Sequence, residues 1–150
     1  MFCESLRGWR HVKVTERRTA KDYAQYWKDV VDSYYPKATL ISIIQGNLNN
    51  HTPAALYEAF EPAEARRIIS RLDFRYTPKH GSWLNMAEIE FAVLTRQCLD
   101  RRIGERASLE RKIAAWENCR NEAQAKVNWQ FTTKHARAKL QRLYPSESVR

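Results

Sequence analysis

The fold is decided by a stretch whose hydrophobic period changes halfway along, residues 72–91, which read LDFRYTPKHGSWLNMAEIEF. Apolar and polar residues alternate at its start, which is the two-residue period of a strand and predicts one over Leu72–Thr77. Pro78 and Gly81 then interrupt the chain, because proline cannot donate to a sheet ladder and glycine permits a tight bend. From Trp83 onward the apolar residues recur at helical spacing, so the stretch predicts a strand, a polar basic loop and a helix.

The helix is predicted to run from Trp83 to about Ile103, where Gly104 ends it. Two acids, Glu88 and Glu90, lie in its first turns and are about 200° apart around the axis at ~100° per residue. Periodicity alone does not choose between them. They could serve a phosphate-directed site, or simply favour the positive end of the helix. The predicted buried stripe comprises Leu84, Ala87, Phe91, Leu94 and Cys98.

The most apolar run of the chain is Thr39–Gln45, which is rich in β-branched residues. Such a run is typical of a strand that is buried on both faces of an α/β sheet. It leads into a polar turn, residues 46–53, at the strand's carboxyl end, where ligands collect in open α/β sheets.

The remaining elements are predicted from local spacing and from helix start and stop signals. Aromatic residues at helical spacing after Thr19, a candidate N-cap, predict a helix that Pro36 ends; they are interpreted as core packing rather than a base-stacking platform. The other predictions are a strand from Trp9 and helices over Ala54–Phe60, Ala63–Arg71, Ser108–Ala125 and Gln130–Leu143.

The 150-residue chain has a formal net charge of +9 and a sequence pI near 9.7. This balance favours nucleic acid or another polyanion as a partner, the alternative being a solvated basic face. Three scattered cysteines do not indicate a disulfide framework or a zinc site. No apolar run reaches the ~20 residues of a membrane span and no N-terminal signal is evident, so a soluble, cytoplasmic protein is expected.

Two loop motifs resemble those of a known family. The run from Tyr76 to Phe91, the segment Gly46–His51 (GNLNNH) and the later segments 128–133 and 140–145 are similar, in the same order, to bacterial insertion-sequence transposases. These belong to the Tc/mariner-like branch of the DDE (Asp-Asp-Glu) superfamily. The resemblance covers nearly the whole chain.

The resemblance implies an α/β fold with a ribonuclease-H-like core and additional C-terminal helices. It divides the chain into a partial endonuclease domain, residues 1–103, and a helical extension of the same domain, residues 104–150. The strand from Trp9 would be the family's third, Thr39–Gln45 the fourth and Leu72–Thr77 the fifth. The first two strands would lie upstream of Met1, so an N-terminally truncated core is expected, with no neighbour for the Trp9 strand and an open edge on Thr39–Gln45. Such an edge would hinder stable folding of the chain alone.

The family's reaction is DNA transposition by phosphodiester hydrolysis and strand transfer, run by two Mg²⁺ or Mn²⁺ ions on three acids. By the resemblance Glu88 is the third acid and a metal ligand, whereas Gly46 occupies the place of the second aspartate, and the first lies upstream. The expectation is therefore a catalytically incomplete chain. Alternatives from another class are a DNA-binding or assembly module that pairs with itself or with an intact transposase, and a decayed remnant. The residues expected to contact DNA phosphates are Lys79, His80, Arg96, Arg101 and Arg102.

Overall fold

The computed structural model describes residues 1–46, 52–77, 85–139 and 141. Within these ranges the chain forms two small sheets and six α-helices, which agrees with the predicted α/β class. The strands are β1 Phe2–Glu4, β2 Trp9–His11, β3 Ile41–Gln45 and β4 Leu72–Tyr76. The helices are α1 Ala20–Asp29, α2 Ala54–Ala59, α3 Pro62–Ile69, α4 Met86–Leu94, α5 Arg106–Glu122 and α6 Thr133–Lys139. Helix α1 continues into a π-helical turn over Val30–Tyr34, and α4 continues into one over Thr95–Leu99.

Strands β3 and β4 form a parallel pair, in register from Ile41 opposite Leu72 to Gln45 opposite Tyr76. Both strands were predicted, and both are confirmed within a residue or two at their ends. A parallel pair needs a crossover connection, and α2 and α3 lie in that connection. The carboxyl ends of the two strands therefore lie side by side, and the Thr77 amide donates to the Gln45 carbonyl at 2.9 Å.

Only one face of this parallel sheet is buried. Ile43 lies in the core with Trp27 of α1, whose ring meets Phe74 of β4 edge-on at 5.7 Å. The opposite face is open, and Ile44 is 67% and Leu40 is 59% exposed. The prediction that this strand is buried on both faces was wrong, because among the described residues α1 covers one side and no element covers the other.

Strand β2 has a neighbour that the sequence did not predict. β1 pairs with it antiparallel, with Cys3 opposite Arg10, so the expectation that the Trp9 strand lacks a neighbour was also wrong. Phe2 of β1 contacts the ring of Trp9 at 5.1 Å and that of Tyr26 at 5.0 Å. Aromatic contacts with β2 and α1 thus hold a strand that is too short to show a period in the sequence.

The observed ends of three helices can be compared with the predicted start and stop residues. Thr19 caps α1, since its hydroxyl accepts from the Asp22 amide while the Asp22 carboxylate accepts from the Thr19 amide, a complete capping box. Helix α5, predicted from Ser108, begins two residues earlier, at Arg106 after Glu105. The helix predicted from Trp83 is seen from Met86, capped by Asn85, and its helical backbone ends at Leu99.

The buried side chains form two clusters. The larger lies between α1, α2, α3 and the parallel sheet. The second joins α5 to α4 and its π-helical continuation through Leu94, Cys98, Ile113 and Trp116, and the Trp116 indole donates to Gln97 Oε1 at 2.9 Å. α5 thereby supports α4, the helix that carries both acids of the decisive stretch.

Candidate functional site

Of the two positions to which the resemblance gives catalytic roles, one follows the carboxyl end of β3 and the other lies in the first turn of α4. Asn85 caps α4, and its side-chain oxygen accepts from the Ala87 amide at 3.1 Å. Glu88 follows in the first turn, and its side chain is exposed. A carboxylate in this position is favoured by the positive end of the helix dipole and is free to meet a cation from solvent.

Gly46 ends β3 and contributes no side chain. Its backbone is not in the left-handed region, and a Cβ atom added there would meet no described atom within 4 Å. Among the described residues nothing in the backbone conformation or in the space around a Cβ requires glycine at this position. Glycine supplies no ligand group at the place that the resemblance gives to a second acid.

Periodicity did not choose between Glu88 and Glu90, and in the structure Glu90 is buried. Its side chain is 1% exposed, and its carboxylate oxygens lie 3.2 Å from Arg10 Nε and 3.1 Å from Arg120 Nη2. Phe91, which was assigned to the buried stripe, is 45% exposed instead. The buried line of the helix runs through Glu90, Leu94 and Cys98, at spacing of four, so a charged residue occupies the first core-facing position.

The structure describes three of the five residues that were predicted to contact DNA. Arg96, Arg101 and Arg102 are exposed around the end of α4, and Arg96 Nε donates to the Ala92 carbonyl at 3.3 Å. Lys79 and His80 lie outside the described residues, as do His51 and most of the segment that resembles the second family motif. Further exposed cationic side chains lie on α6: Lys134, Arg137 and Lys139.

A Mg²⁺ or Mn²⁺ site at Glu88 would need further acidic side chains nearby. In the described ranges no group of three or more His, Cys, Asp or Glu side chains lies close enough to hold a metal ion. Mg²⁺ and Mn²⁺ require several oxygen ligands, and a two-metal centre requires carboxylates that converge from different elements. Among the described residues Glu88 alone does not fit such a pair of ions.

Sequence reasoning missed two features near α5. The first is the Arg10–Glu90–Arg120 cluster, for which the four-residue spacing of Glu90 with Leu94 and Cys98 was the available signal. The second is an open cleft of about 430 Å³ between β2, α1 and α5. Its charged side chains pair with one another: His11 Nδ1 is 3.0 Å from Glu117, and Lys13 Nζ is 2.6 Å from Asp29.

The profile of a family described as DDE superfamily endonuclease matches residues 1–110 of the chain. The chain belongs to this family. The match implies the ribonuclease-H-like fold, of which the parallel pair, its crossover and the helix of Glu88 are described here. It also implies a function related to transposases or nucleases that act on DNA, in a superfamily that typically uses divalent metals.

The matched region ends inside α5, so Arg120 and α6 lie beyond it. Searches of curated proteins and of solved structures gave no match. No helix among the described residues is long and apolar enough to cross a membrane.

Proposed function

We propose that this DDE endonuclease domain is part of an insertion-sequence transposase of the Tc/mariner-like branch and acts in DNA transposition. The observation that carries the proposal is the family match together with strand β4 and, next among the described elements, the capped helix α4, which presents Glu88 to solvent. In this role Glu88 is the third acid and ligates Mg²⁺ or Mn²⁺.

The chain by itself is proposed to be catalytically incomplete. Gly46 stands where the family resemblance places an aspartate, and a glycine supplies no oxygen ligand. One carboxylate cannot position two metal ions on the attacking and leaving oxygens of a phosphodiester. Cleavage therefore needs acids that the described residues do not bring to Glu88.

A non-enzymatic role is the second candidate, and the exposed cations favour it. Arg96, Arg101 and Arg102 lie around the end of the α4 helix, and α6 adds further positive charge, so DNA can be bound without cleavage. In that role the chain occupies DNA, or assembles with a second copy or an intact transposase.

The proposal also divides the chain into an endonuclease domain, residues 1–103, and a helical extension of the same domain, residues 104–150.

A metal-binding gain tests whether Glu88 and position 46 belong to one site. Gly46→Asp adds a second carboxylate at a position where a Cβ would meet no described atom within 4 Å. We expect the affinity for Mn²⁺, measured by calorimetry, to rise by about tenfold or more in this variant, because each added carboxylate strengthens a hard-cation site. The gain should disappear when Glu88→Gln is added.

Glu58→Gln is the matched control, since Glu58 is an exposed glutamate on α2. In the Gly46→Asp background it should leave the Mn²⁺ gain intact. No gain in Gly46→Asp, or a gain that persists in the double variant with Glu88→Gln, would contradict the proposed role of Glu88.

Plasmid nicking separates the enzymatic from the non-enzymatic role. With Mg²⁺ or Mn²⁺ the native chain is expected to bind DNA in a salt-sensitive way without nicking it. Nicking by the native chain that is lost in Glu88→Ala would show that the chain is catalytically complete, and the claim of incompleteness would then be wrong.

A further inference from the structure

Three side chains from distant parts of the sequence form a buried ionic cluster. Arg10 of β2 is 0% exposed, and it meets Glu90 of α4 and, through that carboxylate, Arg120 of α5. The remaining guanidinium nitrogens of Arg10 donate to backbone carbonyls of Gly8 and Ala125. Buried charges are costly unless they are paired and hydrogen-bonded, so the carboxylate and its two arginines depend on one another.

Helix α5 is also bonded to the backbone of β2. The Arg10 amide donates to Asn121 Oδ1 at 2.9 Å, and Asn121 Nδ2 donates to the Arg10 carbonyl at 2.9 Å. The Val12 amide donates to Glu117 Oε2 at 2.7 Å. In a larger sheet another strand would make these bonds; here side chains of α5 close the outer edge of β2 and fix α5 against it.

In the part of the chain that the structure describes, the first turns of α4 carry one fully buried side chain, that of Glu90. Of the residues in α4, only Glu90 and Leu94 are buried, and Leu94 lies in the last turn. Glu90 is therefore the buried anchor of the N-terminal half of the helix. Glu88 lies two residues earlier, on the exposed side, and successive residues of a helix keep a fixed angular relation. An element that fixes Glu90 also fixes the direction of Glu88.

We infer that Arg10, Glu90 and Arg120 are positioning residues for Glu88, and that α5 holds them in place although its second half lies beyond the family match. The inference rests on the proposed role of Glu88 in the metal site. It assigns to α5 a part in the endonuclease site: α5 sets the angle at which α4 presents its carboxylate.

Arg120→Met is the variant that tests this inference. Replacing Glu90 would leave Arg10 buried without a countercharge and could prevent folding, whereas Arg120 is partly exposed and methionine keeps most of its length. Arg120→Lys retains the charge and serves as the conservative variant. Arg111→Met, an exposed arginine of the same helix, is the matched control.

Residual dipolar couplings of backbone amides measure the orientation of α4 relative to α1 and α3. In the native chain, Arg120→Lys and Arg111→Met, the couplings of residues 86–94 should fit the same alignment frame as those of α1 and α3. In Arg120→Met only the α4 couplings should leave that frame. Amide hydrogen exchange in α4 should accelerate by about tenfold or more, with α1 and α3 changing less than about twofold.

Two results would overturn the inference. Equal acceleration of exchange in α1, α3 and α4 would show that Arg120 stabilises the whole fold without a specific effect on α4. Unchanged couplings and exchange in α4 would show that Arg120 does not fix the helix. Neither readout uses metal binding or DNA cleavage, so failure of the proposed function and failure of the positioning role are distinguishable.

Discussion

Glu88 and Glu90 are two positions apart on one helix, and their environments are opposite. The sequence places both acids beside an apolar stripe and gives no reason to bury either of them. The partner that buries Glu90 is Arg10, 80 positions earlier in the chain, and its guanidinium is itself enclosed by backbone carbonyls and by Asn121. Long-range countercharges, Arg10 and with it Arg120, thus decide that Glu90 faces the core while Glu88 stays exposed.

Gly8 is a second position at which one residue decides the packing. Its φ is +78°, and an added Cβ would lie 2.4 Å from the Gln124 carbonyl oxygen at the end of α5. The turn between β1 and β2 therefore touches α5 backbone to backbone. Only glycine combines this conformation with such a close approach.

Gly8→Ala is accordingly expected to lower the free energy of unfolding by at least about 2 kcal/mol, measured by urea titration, since it adds backbone strain to a clash. Gly104→Ala is the control, because a Cβ there meets no described atom within 4 Å and its φ is not in the left-handed region. It is expected to change the free energy by less than about 1 kcal/mol. Equal effects of the two substitutions would contradict the close approach seen at Gly8.

At the scale of elements, α1 and α3 are joined by an ionic network as well as by apolar packing. Arg67 of α3 donates to Asp32 beyond the end of α1 at 2.8 Å and to Glu64 at 2.7 Å, and Lys28 of α1 bonds both carboxylates. The Arg67 guanidinium, and after it the Lys28 ammonium, lower the pKa of Glu64 to about 2; the same cations lower the pKa of Asp32. These side chains are partly exposed, so added salt weakens the network.

The sign of the pH dependence follows from these lowered pKa values. A carboxyl whose pKa is lower in the folded chain stabilises it above the unfolded pKa, here the ordinary 4.5 of Glu64, and this contribution is lost as pH falls towards about 2. Thermal midpoints measured from pH 6 to pH 2 should therefore show a gap between the native chain and Glu64→Gln that closes on acidification. Glu58→Gln should show no such gap at any pH, and a gap that widens with acid would contradict the pKa direction.

At the scale of the whole molecule, charge and apolar surface are distributed unevenly. The exposed side chains of Arg96, Arg101 and Arg102 lie beyond the end of α4, while the open face of the parallel sheet presents Leu40 and Ile44 to solvent. The basic surface is the part of the chain that is proposed to bind DNA. For strand β3 the sequence predicted an exposed edge, and the structure also exposes one face of the strand.

DNA binding should report which cations contact phosphates. Each Lys or Arg that neutralises a phosphate contributes about −0.9 to the slope of log K against log salt concentration for duplex DNA. Replacing both Arg101 and Arg102 by Gln should therefore flatten the slope by about 2 units, measured by fluorescence anisotropy over a salt series. Arg17 and Arg18 are also two consecutive exposed arginines, and replacing both by Gln removes the same charge. If that control flattened the salt slope as much as the Arg101 and Arg102 replacements do, the proposed contact surface would be contradicted.

Local features of this chain could be predicted because each depends on residues that are close in sequence. The alternation over residues 72–77, the β-branched run before Gly46 and the capping box at Thr19 all specify hydrogen bonds within one strand or one helix turn. The family could be recognised for the same reason, since its motifs are short segments at the ends of strands. The family match over residues 1–110 confirms the DDE superfamily, and the assignment to the Tc/mariner-like branch stays a prediction.

The sequence by itself thus determined the elements other than β1, their order and the DDE superfamily. The tertiary structure alone decided that β1 pairs with β2, that β3 is covered on one face, and that Glu90 rather than Phe91 turns inward. These outcomes depend on contacts between residues far apart in the chain, such as Arg10 with Glu90 and Asn121. Periodicity shows which residues share a face, but the energy of burying that face is set by the partner that meets it, and in this chain the partner is a charged one.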